Sequence, residues 1–207
     1  ASTPASNYTQ REFLGGRYFS GRIWDFDYPR RKLRVLEGVP KLKGNAVPLA
    51  FQENEAGNRS SNFARIAVTV AGQELDMLFD TGATVTLTDE SAQAFGMKAG
   101  DKIGGSYIIR SVFDQWMNDH PEWPVIKQGD IIRGTTFRMI RVPEITIGDV
   151  RFGPVWFTER PDSAFREYMA RFMDKPTSGA IGGSALRHVR VIVDFPDAKA
   201  YFSPPGT

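Results

Sequence analysis

The sequence predicts a mainly β protein with a few short helices. Gly (20 residues) and Pro (13 residues) are spread through the 207-residue chain. Frequent Gly and Pro between short apolar runs are typical of strands joined by tight turns. β-Branched runs with alternating polarity support the same class, and few segments show helical periodicity. Apolar residues make up 41% and charged residues 24%, which excludes a largely disordered chain and a collagen-like repeat.

The composition also excludes several kinds of site. The chain has no cysteine, so it has no disulfide, no thiolate nucleophile and no Cys-ligated zinc or iron–sulfur site. His120 and His188 lie far apart and outside any HExxH pattern, which argues against a His-ligated metal and a Ser-His-Asp triad. The net charge of +2 is too small to predict nucleic-acid binding. No apolar run reaches the roughly 18–20 residues of a membrane span.

Two hairpins are predicted from apolar runs separated by turn residues. Residues 64–70 (ARIAVTV) alternate and are β-branched, and they lead through a turn containing Gly72 into residues 75–79 (LDMLF). This pattern is typical of an antiparallel hairpin. A second copy of the pattern lies in residues 144–157, where Gly148 again marks the turn.

Three short helices are predicted from capping residues and periodicity. Thr88 and Gly96 delimit one, with acidic residues in its first turn. Ser111, followed three residues later by an Asp, begins another over residues 112–119. A third follows Asp162, and its apolar residues share one face that we expect to pack against a sheet. These residues are Phe165, Tyr168, Met169, Phe172 and Met173.

A long internal repeat suggests how the chain is organised. Residues 13–36 align without gaps with residues 180–203, and a β-rich run follows a glycine pair in both. The repeat predicts an N-terminal extension, residues 1–44, followed by a complete unit, residues 45–207. Residues 37–48 have the composition of a linker. The matched landmarks are Gly15-Gly16 with Gly182-Gly183, Asp27 with Asp194, Pro29 with Pro196, and Lys32 with Lys199.

One motif carries candidate chemistry. Residues 77–83 read MLFDTGA, so an apolar strand ends at Asp80 and small residues follow. The small residues permit a tight turn whose backbone N–H groups can point back at the carboxylate and favour its ionised form. An isolated Asp-Thr-Gly is often only a turn. Here it follows an apolar hairpin, and an apolar-apolar-Gly segment, residues 180–182, comes about 100 residues later.

This ordered set resembles the retropepsin-like family of aspartic proteases, single-lobe relatives of pepsin. The resemblance covers about residues 62–203 and is carried by residues 78–96 and 179–202. It implies a closed β-barrel lobe with a few short helices. It also implies an aspartic endopeptidase acting on peptide or protein substrates, with no metal or organic cofactor.

The resemblance assigns roles to individual residues. Asp80 matches the catalytic aspartate, and Thr81 matches the residue that grips the opposite subunit. Gly82 and Ala83 match the substrate-facing turn. The loop that packs beside this turn maps onto Ile181 and Gly182.

The chemistry of this family requires two carboxylates that share a proton and activate a water. Asp-Thr-Gly occurs once in the 207 residues, so the second carboxylate must come from a second copy in a homodimer or from an upstream lobe. Residues 13–33 resemble the closing segment of such a lobe, as in bacterial aspartyl-protease-like proteins, which implies a bacterial periplasmic or cell-envelope location. The sequence does not decide between a lobe that precedes this chain and a stand-alone N-terminal strand element.

Two further expectations concern catalysis. Ala83 stands where pepsin-type enzymes have a Ser that lowers the aspartate pKa, so we expect a less acidic optimum. A flap that closes over substrate is expected within residues 100–142, with its tip at Gly134 and Thr135 or, as a rival, at Gly104-Gly105. The tryptophans of that region, Trp116 and Trp123, are expected to pack rather than to line the groove.

Other interpretations of the sequence stay open. The chain could be a protease-like lobe that binds peptides or protein partners without cleaving them. A two-carboxylate glycosidase would need a second placed acid, for which no motif is present. Asp25 and Asp27 are expected to be structural rather than metal ligands. A basic run is expected to be the solvated face of an edge strand and linker; it comprises Arg30, Arg31, Lys32, Arg34, Lys41 and Lys43.

Overall fold

The computed structural model describes residues 15–40 and 46–204, which form sixteen strands and four α-helices. Lys41 and Lys43 of the basic run lie outside these residues. The strands are Ile23–Asp27 (β1), Lys32–Leu36 (β2), Val47–Pro48 (β3), Ala64–Val70 (β4), Gln73–Phe79 (β5), Thr84–Thr86 (β6), Lys102–Gly104 (β7), Tyr107–Ile109 (β8), Val125–Ile132 (β9), Thr135–Val142 (β10), Ile145–Ile147 (β11), Val150–Phe152 (β12), Val155–Arg160 (β13), Gly179–Ile181 (β14), Arg190–Asp194 (β15) and Lys199–Ser203 (β16). The helices are Gly16–Phe19 (α1), Asp89–Phe95 (α2), Arg110–Asp119 (α3) and Gly183–Leu186 (α4).

The first predicted hairpin is confirmed. β4 and β5 pair antiparallel, with Ala64 opposite Phe79. Alternate residues of β4 are buried, which is the period expected of a strand with one face on the core. Ala71 (φ 48°) and Gly72 (φ 81°) form the turn, and positive φ at both positions gives a two-residue turn whose twist matches the strands.

The mainly β class is confirmed, but the strands of the described residues do not close into a barrel. A nine-stranded sheet has the order β12-β11-β4-β5-β14-β8-β13-β10-β9, and a five-stranded sheet has the order β2-β1-β15-β16-β3. A third sheet pairs β6 with β7. Closure requires the end strands of a sheet to pair, and here β12 and β9 are opposite ends. The two larger sheets instead share a hydrophobic core.

That core contains the expected tryptophan packing. Trp116 and Trp123 are 2% and 8% exposed, and their ring centroids lie 6.0 Å apart. Their contribution is therefore structural, as predicted. No helix in the described ranges is long and apolar enough to cross a membrane.

Two of the three predicted helices form, α2 with the predicted caps and α3 with a start that differs from the one predicted after Ser111. In α2 the side chain of Thr88 accepts a hydrogen bond from Ser91 N–H, and Gly96 ends the helix in the left-handed region. Helix α3 begins at Arg110, two residues before the predicted start, because the extended Ile109 precedes it directly.

The third predicted helix differs from the expectation. A π-helical turn, Ala164–Tyr168, runs into a 3-10 turn, Met169–Phe172. These two geometries do not keep the 3.6-residue period of an α-helix. The five apolar residues therefore do not lie on one face of the segment. Phe165 and Met173 are buried, whereas Tyr168 and Phe172 are 57% and 39% exposed.

The N-terminal strands are part of the fold through β1. This strand pairs with β2 on one side and with β15 on the other. Asp25, in the middle of β1, is fully buried and binds Arg34 (2.6 Å) and Arg190 (2.9 Å). Burial alone would raise the pKa of Asp25, but these two arginines outweigh it and hold the pKa below its usual value. Asp25 is therefore a structural ion-pair residue.

We predict that Asp25→Asn destabilises the chain by about 1–3 kcal/mol at neutral pH, because it removes the buried counter-charge that Arg190 and the half-exposed Arg34 share, and only the more distant Asp27 remains. An acid whose pKa is lowered on folding adds stability above its unfolded pKa and loses it as the pH falls through the folded pKa. The effect should therefore shrink in acid. Urea denaturation at several pH values measures it, with Asp149→Asn in an exposed turn as the control. Equal effects of the two variants would contradict the prediction.

Candidate active site

The pairing of β5 with β14 places Asp80 beside the second motif. These strands run parallel, with Leu78 opposite Ala180 and Phe79 opposite Ile181. The backbone N–H of Asp80, just beyond the end of β5, donates to the carbonyl of Ile181 at 2.9 Å. Two segments that are about 100 residues apart in the sequence thus meet at one strand end, as the order of motifs predicted.

The turn after β5 holds the Asp80 carboxylate by backbone contacts. Gly82 N–H donates to Asp80 Oδ1 at 2.9 Å. Thr81 and Gly82 are exposed, whereas Ala83 is 5% exposed. Thr84 Oγ1 donates to the Gly82 carbonyl at 3.0 Å and tightens the turn. The predicted N–H donor to the carboxylate is therefore present at Gly82.

The environment of Asp80 raises its pKa. Burial is the largest influence, and the N–H groups of Gly82 and Ala83 lower the pKa only in part. Within the described residues no Lys or Arg forms an ion pair with Asp80, in contrast to Asp25. Asp80 is therefore a carboxyl group that holds its proton to a higher pH than an ordinary aspartate does.

Gly182 is required by close packing against the Asp80 turn. A β-carbon at this position would lie 2.8 Å from the Asp80 carbonyl oxygen and 2.6 Å from Ala83 Cβ, and it would clash with the Gly105 carbonyl. Gly182 N–H donates to Ser106 Oγ at 3.0 Å. The structure therefore brings Ile181 and Gly182 against the turn that contains Asp80.

Three supporting side chains were missed by sequence reasoning. The Tyr107 hydroxyl donates to the Thr84 carbonyl at 2.5 Å and accepts from Thr84 N–H at 2.9 Å. Ser106 and Ser184 lie 2.8 Å apart through their hydroxyls, and Ser184 Oγ is 2.8 Å from the Trp156 carbonyl. These contacts fix the backbone on both sides of the Asp80 turn. They join residues far apart in sequence, so no local motif signals them.

A long hairpin of β9 and β10 contains the candidate flap residues. Its turn is Arg133 (φ 49°) and Gly134 (φ 83°), so Gly134 and Thr135 lie at the tip. Asp130, three residues before this turn, accepts from Thr86 N–H at 2.8 Å and pairs with Arg160 at 2.6 Å. The hairpin is thus tied to the strand that follows the Asp80 turn. No hydrogen bond among the described residues joins the tip itself to that turn.

The rival flap tip lies elsewhere. Gly105 N–H donates to the Ala83 carbonyl at 2.9 Å, and a β-carbon on Gly104 would lie 2.8 Å from Gly183 Cα. Gly104-Gly105 is therefore packed beside the Asp80 turn and is not a free hairpin tip.

Two grooves meet at Thr81. One, of about 460 Å³, is mainly apolar and includes Phe95, Ile103 and Trp156 among its lining residues. The other, of about 370 Å³, runs along the turn between β1 and β2 and includes Tyr28 and Leu33. Burial, followed by the charge of Asp80, raises the pKa of Tyr28, which places Tyr28 within electrostatic reach of that carboxylate. An extended ligand lying in these grooves would pass the Asp80 turn.

Comparison with solved structures finds a retropepsin-like aspartic protease from Rickettsia conorii. This protein is named after the family that the sequence resembles. The match covers 79% of this chain and 96% of that chain, with 14% sequence identity and a TM-score of 0.36. At so low a TM-score the likeness carries no weight for the site, whose chemistry follows from its own geometry. A scan against protein-family models finds no match, and a search of curated proteins finds none.

We predict that Asp80→Asn stabilises the chain at neutral pH. An acid whose pKa is raised on folding costs stability as the pH rises from its unfolded pKa through its folded pKa. Asn keeps the Gly82 hydrogen bond without the buried charge, so we expect a gain on the order of 1 kcal/mol, about 2–4 °C in melting temperature. Thermal denaturation at pH 7 and pH 3 measures it, and the gain should vanish at pH 3. A loss of stability at pH 7 would show that the charged form is favoured by the fold.

Proposed function

We propose that this chain supplies one half of an aspartic endopeptidase active site, with Asp80 as the catalytic carboxylate. The observation that carries the proposal is the placement of Asp80. It is a half-buried carboxyl group with a raised pKa, held by Gly82 N–H and next in sequence to Thr81, which lines two grooves. Perturbed carboxyl groups in a groove are typical of functional sites.

The proposed reaction is hydrolysis of a peptide bond by a water held between two carboxylates. The ionised carboxylate removes a proton from the water, and the neutral one donates a proton to the scissile carbonyl. Two such groups titrate as a coupled pair, because both cannot ionise easily at close range. Asp80 supplies one group, and a second copy of the chain or an upstream lobe supplies the other.

The surrounding residues have supporting roles in this proposal. Thr81 is exposed at the junction of the two grooves, where it can contact the opposite half. Gly82 is exposed and can face the substrate, whereas Ala83 is buried against Gly182 and leaves the carboxylate without a hydroxyl donor. The hairpin tip at Gly134 and Thr135 is exposed and serves as the flap, which excludes water when it closes.

A second candidate function is peptide binding without cleavage. It is favoured by one observation: Asp-Thr-Gly occurs once in the 207 residues, and a single carboxylate cannot act as both base and acid. The grooves beside Thr81 would then hold an extended peptide that is not hydrolysed.

We predict that a peptide library is cleaved between pH 3 and pH 8 when the second carboxylate is supplied, with a less acidic optimum than pepsin-type enzymes because Ala83 provides no hydroxyl. Asp80→Asn should abolish cleavage, and Asp149→Asn should leave it unchanged. Both the 207-residue chain and the polypeptide as its source cells produce it are assayed by mass spectrometry.

Cleavage that survives Asp80→Asn would contradict the assignment of Asp80. Absence of cleavage in both forms, with peptide binding retained, would favour the second candidate function.

A further inference from the structure

The chain contains the same hairpin twice. Residues 15–36, here the N-terminal hairpin, and residues 182–203, the C-terminal hairpin, consist of a four-residue helix followed by two antiparallel strands. The strand registers are equivalent, with Asp27 opposite Lys32 and Asp194 opposite Lys199. The repeat found in the sequence is therefore a structural repeat over the described residues.

The turns of the two hairpins agree in detail. Asp27 Oδ1 accepts from Arg30 N–H at 3.2 Å, and Asp194 Oδ1 accepts from Asp197 N–H at 3.1 Å. The next residue of each turn is in the left-handed region, with φ of 53° at Arg31 and 52° at the equivalent position in the C-terminal hairpin.

A local twofold axis relates the hairpins. β1 and β15 pair antiparallel, and Asp25 lies opposite Ile192. These two residues occupy equivalent positions in the repeat, so the axis passes between them. The part of the structure that covers the C-terminal hairpin should therefore have an equivalent that covers the N-terminal hairpin.

Residues 46–181, here the lobe body, cover the apolar face of the C-terminal hairpin but contact the N-terminal one only in part: Asn62 lies against Gly16, whereas three apolar positions stay bare. The bare positions are Tyr18, Leu33 and Val35, at 50%, 46% and 49% exposed, and the equivalent covered positions are Ala185, Ala200 and Phe202, at 0%, 0% and 3%. Three apolar side chains in one patch are an unusual feature of a solvated surface.

The strand edges show the same asymmetry. β16 pairs at its outer edge with β3, and the carbonyl of Ala198 accepts from Leu49 N–H at 2.8 Å. β2 is the end strand of its sheet in the described part of the chain. Its row of backbone groups is available for a strand equivalent to β3.

The glycine pairs give a third, independent comparison. Gly182 is confined by the Asp80 turn, as described above. Gly15 is its equivalent, and a β-carbon there would meet nothing within 4 Å. Nothing in the described chain therefore requires glycine at position 15, whereas a second Asp-bearing turn packed there would.

We propose that the N-terminal hairpin closes a second lobe body, with the architecture of residues 46–181, that precedes Gly15 in the same polypeptide. That body would cover Tyr18, Leu33 and Val35, pair with the edge of β2, and seat its own Asp-bearing turn against Gly15. The inference deepens the proposed function and rests on it for the role of the second carboxylate.

A second copy of this chain has no spare lobe body with which to cover the bare surface. Both edges of β15 are occupied, by β1 and β16, so it has no free edge for a partner. The lobe body of any copy already covers its own C-terminal hairpin. Exchange of N-terminal hairpins between two copies would reproduce the same contacts and leave Leu33 and Val35 bare.

The test compares hydrogen exchange in two forms: the polypeptide isolated from source cells with an antibody against this chain, and the 207-residue chain. We expect the first to exceed the 23.1 kDa of the chain by the mass of a lobe body. We expect its β2 amides to exchange at least ~10-fold more slowly than in the shorter chain. The shorter chain should sediment as a monomer.

Gly15→Ala and Gly182→Ala form a matched pair for the docking contact. In the 207-residue chain, Gly15→Ala should leave the melting temperature unchanged and Gly182→Ala should lower it. In the longer polypeptide, Gly15→Ala should also speed exchange at β2.

Three results would overturn the proposal: a source polypeptide without the added mass, equal β2 exchange in both forms, or a dimer of the shorter chain with protected β2. Asp80→Asn separates the two claims, because it should abolish cleavage and leave β2 protection intact. Protected β2 in a polypeptide whose cleavage does not depend on Asp80 would contradict the proposed function alone.

Discussion

The site depends on one contact, the parallel pairing of β5 with β14 that ends in the hydrogen bond from Asp80 N–H to the Ile181 carbonyl. This pairing brings an aspartate at a strand end against a glycine loop about 100 residues later. The approach is so close that Gly182 tolerates no β-carbon. Because the backbone is fixed at this point, the Gly82 N–H reaches the carboxylate and the turn opens onto the two grooves beside Thr81.

Two aspartates of the chain show how environment sets the pKa of a carboxyl group in opposite directions. Asp25 is fully buried, yet Arg34 and Arg190 neutralise it and hold its pKa low. Asp80 is less buried, but only backbone N–H groups face it, so desolvation dominates and its pKa rises. A charge neutralised by arginines stabilises a sheet. A half-buried carboxyl group without a cation destabilises the fold when it is ionised, and this is the property that the proposed role of Asp80 uses.

Local patterns predicted much of this arrangement. The alternation of residues 64–70, the caps of α2, the motif around Asp80 and the N-terminal repeat are signals within short segments, and all have counterparts in the structure.

Contacts between distant segments were not predictable. The adjacent Ser106 and Tyr107 and the distant Asp130 support the Asp80 turn from two different places in the chain, and no spacing rule connects these places with the turn. The prediction of a closed barrel was wrong because sheet closure depends on the pairing of end strands, which are distant in sequence. The prediction of a single apolar helix face after Asp162 was wrong because the backbone there forms π-helical and 3-10 turns, which lack the α-helical period.

The central claim is that the 207-residue chain contains one half of a two-carboxylate site. The most direct test is a pH titration of Asp80 followed by the NMR signal of its carboxyl carbon, assigned with Asp80→Asn. The account predicts a single step with a pKa above the ordinary aspartate value in this chain, and two coupled steps when the second half is present. A single step at or below the ordinary value, or two coupled steps in the monomeric 207-residue chain, would contradict it.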